Sequence, residues 1–114
     1  MTGGQIETPS VDDFMAAFGA EPTEASPRDG FWTYVLEDQA HGLLRLSFNT
    51  HDRSLQTCLE LNGHPACTVV HEALERVWID DNDRIHASFS GNLNVRLVVQ
   101  VFPQLKVEWS ALQR

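Results

Sequence analysis

From Leu44 to Trp109 the apolar residues fall largely at every second position: Leu44, Leu46, Phe48; Leu55, Leu59, Leu61; Ile85, Ala87, Phe89; Val95, Leu97, Val99, Val101; Leu105, Val107, Trp109. A period of two builds strands with one buried and one wet face. That pattern confines the chain to antiparallel sheet and leaves one face in need of a cover. With 114 residues and 42% apolar content the chain is one domain with enough to bury. The expected class is α+β: an N-terminal helix packed on one face of a six- to seven-stranded antiparallel meander.

The cover is the segment at 10–19. Ser10 followed by Asp13 is a capping box, Val11, Phe14, Met15 and Phe18 form one apolar stripe, and Gly19 is a suitable stop. Residues 1–7 read as a loose end and 21–30, with Pro22, Pro27 and Gly30, as a loop. The sheet is expected over 31–110. Its strands lie at 31–37, 43–50, 54–61, a long bent strand over 65–79 with a bulge near Glu72, and 84–90, with two more before the C-terminus. Asn62-Gly63 is a type I′ hairpin signal.

That turn sets a register in which paired residue numbers sum to 125, so Cys58 faces Cys67 on the wet side. A disulfide there would be worth roughly 2.5 kcal/mol in the chain-entropy model, but reduced thiols are favoured on compartment grounds. The opening MTGGQIETPS lacks the basic and apolar regions of a secretory signal, so a cytoplasmic location is expected. No metal and no other cofactor is expected. His64 and His71 flank Cys67, yet their spread suits no compact tetrahedron, and Asp80, Asp81 and Asp83 lack the glycine and terminal glutamate of a calcium loop. No nucleophile elbow, P-loop, zinc-protease or dinucleotide motif occurs, so no catalytic residue is assigned.

Charge is more informative. The net charge of −8 argues against nucleic-acid and membrane partners. In the expected register Arg45, Arg76, Arg84, Arg96 and Lys106 lie on the wet face, opposed there by Glu60, Glu72 and Glu108. Most other acids gather in the helix start, the linkers and the turns. The wet face also carries Trp78 opposite His86, with Val69, Val98 and Phe102 near. Tryptophan and arginine anchor interfaces, against the plain alternative of a solvated face whose arginine stems cover apolar side chains. The candidate partner-binding residues are Trp78, His86, Arg76, Arg96, Asp80, Asp81 and Asp83.

The helix-then-meander layout, the segment TVVHEALERVWI at 68–79 and the closing PQLKVEW at 103–109 together resemble the small acidic immunity proteins of polymorphic and contact-dependent bacterial toxin systems. The resemblance spans most of the chain and carries over no individual residue. It implies a non-enzymatic inhibitor that binds a cognate toxin domain. For a basic nuclease toxin, acidic loops would steer association. Two other readings stand beside it. One is a small-molecule binder or lyase-like enzyme with an apolar pocket lined by Phe14, Phe18, Trp32 and Tyr34. The other is a chaperone for one secreted effector. An open meander also leaves two edges, through one of which the chain could dimerise.

Overall fold

The computed structural model describes residues 6–38, 42–91 and 93–111; residues 1–5 of the expected loose end at 1–7 and the tip of the turn at 39–41 lie outside them, whereas Glu7 is not loose but bridged to Arg76. The class is α+β, with one α-helix and nine strands among the described residues. Helix α1 (Val11–Phe18) begins at the expected box: Ser10 Oγ accepts from Asp13 N–H at 3.1 Å and Asp13 Oδ2 from Ser10 N–H at 2.9 Å. It ends at Gly19, whose φ of 64° a residue with a Cβ rarely adopts.

The strands are β1 (Glu24–Ser26), β2 (Phe31–Glu37), β3 (Gly42–Asn49), β4 (Ser54–Leu61), β5 (His64–Glu72), β6 (Leu74–Ile79), β7 (Ile85–Phe89), β8 (Arg96–Gln100) and β9 (Lys106–Ser110). They form two antiparallel sheets, β1-β2-β3-β4-β5 and β6-β7-β8-β9, rather than the single sheet expected from the alternation. The break falls at Ala73, whose φ is 65°. A left-handed turn there ends β5 and delivers β6 to the second sheet, where the sequence suggested only a bulge in one long strand. The two sheets present four edges, not two. The stretch 24–26, read as loop, pairs with β2.

The core lies between the sheets. Tyr34, Leu36, Leu44, Leu46, Phe48 and Leu55 come from the first sheet, and Leu74, Val77, Ile85, Ala87, Leu97 and Val99 from the second. Long-range polar ties hold the layers. Trp109 Nε1–H donates to Thr57 Oγ1 at 3.1 Å, and Leu105 N–H donates to Asp38 Oδ2 at 2.7 Å. Thr57 is 3% exposed, so Trp109→Phe strands its hydroxyl. That variant is expected to lose about 1–2 kcal/mol in urea denaturation.

Helix α1 shares the inner face of the first sheet. Phe14 stacks on Tyr34 with ring centroids 3.8 Å apart and lies 6.3 Å from Phe48. Phe18 lies between Phe14 and Phe102. The helix stripe is narrower than expected, because Val11 and Met15 remain about two-fifths exposed. The space proposed for a pocket among Phe14, Phe18, Trp32 and Tyr34 is filled by these rings and Phe48, which removes the basis for a ligand cavity there.

The Asn62-Gly63 turn has both residues at positive φ, as type I′ requires. Leu61 pairs with His64 and Glu60 with Pro65, as expected, but the register shifts between Leu59 and Glu60. Leu59 then faces Cys67 and Cys58 faces Thr68. The two cysteines are free and do not share a rung; Thr68 Oγ1 donates to Cys58 Sγ at 3.4 Å. The same bulge turns Val69 and His71 to the inner side. His71 packs against Phe89 and Trp109, away from His64 at the exposed turn.

Candidate functional site

Splitting the sheet also splits the basic face. Arg45 lies on the outer face of the first sheet, where its Nε donates to Glu60 Oε2 at 2.9 Å, a pairing that pushes the guanidinium pKa up. Arg76, Arg84, Arg96 and Lys106 lie with the second sheet. Val69 and Phe102 are not part of that surface: Val69 faces Thr57 in the first sheet, and Phe102 sits beside Phe18.

On the outer face of the second sheet one rung reads Trp78, His86, Val98, Glu108, and the next Arg76, Ser88, Arg96, Ser110. The first rung brings two rings together, because directly opposed residues of an antiparallel pair point to the same side. Trp78 and His86 stack with centroids 5.1 Å apart and planes 7° from parallel. Two residues back along β6, the Arg76 guanidinium carbon lies 4.5 Å from the Trp78 ring centroid, a cation–π contact. Arg76 Nε also lies 3.4 Å from Glu7 Oε1.

Asp80 closes the other end. Its Oδ2 accepts from His86 Nε2 at 2.7 Å and from Arg84 Nε at 3.2 Å, while its Oδ1 accepts from the N–H groups of Asn82 and Arg84. The side chain caps the β6–β7 turn and anchors the imidazole against the indole. Hydrogen bonding from His86, and then from the Arg84 N–H, holds its carboxyl well below the usual carboxylate range. A depressed folded-state pKa contributes stability above the unfolded value of about 3.9, and that contribution is lost as pH falls further. Asp80→Asn is therefore expected to lower stability by about 1 kcal/mol near neutrality. It should also flatten the acid limb below about pH 4 in urea titrations across pH.

The structure thus joins Arg76, Trp78, Asp80 and His86 in one continuous chain of contacts. Arg96 lies one rung away, across Ser88, and Asp81 and Asp83 are exposed on the adjoining turn. Two participants lie outside the set expected to bind. Arg84 shares Asp80 with His86. Glu7 reaches Arg76 through a parallel bridge between residues far apart in sequence, and no local pattern announces such a bridge.

Beside Trp78 an open groove of about 390 Å³ separates α1 from β6. Ala16 and Ala17 form one wall, and Val77, Trp78 and Ile79 the other. Glu7, Asp13 and Asp83 add carboxylates around it.

This architecture is shared with one chain of a "Contact-dependent growth inhibition toxin - immunity protein complex from Klebsiella pneumoniae 342". The TM-score is 0.82 over 96% of this chain and 100% of that one, at 16% sequence identity. At that identity the likeness is one of fold. No family model matches the sequence, and no curated protein matches it. Among the described residues, no helix is long and apolar enough to cross a membrane.

Proposed function

We propose that this protein is an immunity protein: a non-enzymatic inhibitor that acts in the cytosol by binding and neutralising a cognate bacterial toxin domain. The observation that carries the reading is the end-to-end likeness of fold to a chain of a toxin–immunity complex. The net charge of −8 adds to it, since an acidic inhibitor suits a basic, nucleic-acid-cleaving toxin. The contact surface in this reading is the Arg76–Trp78–His86–Asp80 array with Arg96, edged by Asp81 and Asp83. It offers the aromatic and arginine anchors that dominate interface energetics.

Growth assays test the assignment. Expression of the chain alone is expected to leave growth unchanged, and co-expression is expected to rescue cells making the cognate toxin domain. Arrest by the chain alone would make it the toxic member of such a pair, and failure to rescue would remove the immunity reading.

The exposed turn is assigned to steering. Replacing both Asp81 and Asp83 with asparagine is expected to slow association with the toxin by about two- to tenfold at low salt. At about 0.5 M salt, where the Debye length shrinks to a few ångströms, the difference should vanish. Stopped-flow rates across an ionic-strength series measure this, and an unchanged rate at low salt would remove the turn from the encounter.

A further inference from the structure

The groove beside Trp78 has a feature that its volume does not express. Backbone groups along β6 alternate between facing β7 and facing the open edge. Asp80 N–H donates to Arg84 C=O across the turn at 2.9 Å, so Ile79 and Val77 face outward. In agreement, Val77 N–H donates to Glu7 C=O at 2.9 Å, the bond of a parallel neighbour. The next bond of that ladder would come from the N–H of Pro9, and proline has none. Parallel pairing is therefore not continued at Pro9. The Val77 C=O and the N–H and C=O of Ile79 are left facing the groove, with no backbone partner among the described residues.

The walls beside this open edge are alanine and tryptophan, and the ionisable side chains lining the groove are all acidic: Glu7, Asp13 and Asp83, with no lysine, arginine or histidine among them. Arg76 engages Glu7 from the neighbouring face, and Asp13 accepts the Ser10 N–H. Asp83 is exposed at the end of the groove. An unpaired strand edge selects an extended backbone, apolar walls accept an aliphatic stem, and carboxylates select a cationic head.

We infer that the groove between α1 and β6 receives an extended segment of the protein partner. The segment adds to the β6 edge and directs an arginine or lysine side chain along Ala16 and Ala17 toward Asp83 and Asp13. This deepens the immunity reading, on which it rests, by naming the chemistry of the partner element: a basic extended segment rather than an apolar helix.

The probe is the tripeptide acetyl-Val-Arg-Val-amide, titrated into the full-length protein and followed by amide shifts in ¹H–¹⁵N spectra. Its control replaces arginine with citrulline, a neutral side chain of nearly the same shape. Saturable shifts are expected at Ala16, Ala17 and residues 77–83, with affinity in the millimolar range. Binding should weaken at least fivefold with the citrulline peptide or in Asp83→Asn, and disappear in Ala17→Trp, which fills the groove. Equal binding of the citrulline peptide, shifts spread over distant acidic turns such as those at Asp29 and Asp52, or no shift at 20 mM peptide, about tenfold above the expected range, would each overturn the inference. If Ala17→Trp loses its folded spectrum, Asp83→Lys serves in its place. Rescue of toxin-producing cells by the wild-type chain separates the two claims. Rescue without peptide binding sinks the groove and leaves the immunity reading standing; peptide binding without rescue sinks the immunity reading.

Discussion

Replacing Phe14 with alanine is expected to remove about 3–5 kcal/mol of folding stability. Small domains of this kind hold about 5–15 kcal/mol in all, so the variant should be near its limit at physiological temperature. The reason is concentration of effect. Phe14 is the one fully buried residue of α1, at 0% exposure, and its ring lies against Tyr34 with Phe48 and Phe18 beside it. Truncation opens a cavity bounded by rings held on two strands and unable to collapse into it. Val11→Ala and Met15→Ala, on the same helix but exposed, should stay within about 0.5 kcal/mol of the parent. Urea denaturation followed by tryptophan fluorescence compares the three. A loss below about 1 kcal/mol for Phe14→Ala would mean that the helix does not close the core.

The second large effect falls on binding. Trp78→Ala is expected to weaken association with the cognate toxin by about 2 kcal/mol or more, roughly thirtyfold in Kd, mostly through faster dissociation. Removing the indole also removes the surface on which Arg76 and His86 lie, so both side chains lose their common support. Arg96→Ala, one rung away, should cost less. Because Trp78 lies on an outer face, folding should change little, and calorimetric titration beside a urea melt separates the two quantities. A Trp78→Ala variant that binds as tightly as the parent would move the interface elsewhere.

Strand positions were legible because alternation records burial directly, and most of the expected boundaries lie within one residue of those found. The capping box and the Asn62-Gly63 turn were legible for a similar reason: each is a local hydrogen-bonding or φ requirement met by particular residues. The division into two sheets was hidden. It depends on Ala73 in a left-handed conformation that its residue type does not advertise, and alternation records that a face is buried without recording what buries it. A single unpaired residue, Ala66, moved Cys58 and Cys67 off their shared rung and carried Val69 inward. The Trp78–His86 opposition was readable because the polar turn at 80–83 fixes it from a few residues away. The Glu7 bridge and the groove were not, since both arise where the first described residues meet β6.

Every strand hydrogen-bonds to a strand adjacent to it along the chain. Each sheet is therefore a continuous run of polypeptide, with Ala73 the joint between them. Closing each hairpin costs little loop entropy, because the ends being joined are near one another in sequence. The distant pairings arrive with the docking of the layers: Trp109 with Thr57, 52 residues apart, and Leu105 with Asp38, 67 apart. A topology of this kind joins two halves built from local hairpins, and the contacts most distant in sequence include those that tie the two layers over the hydrophobic interior.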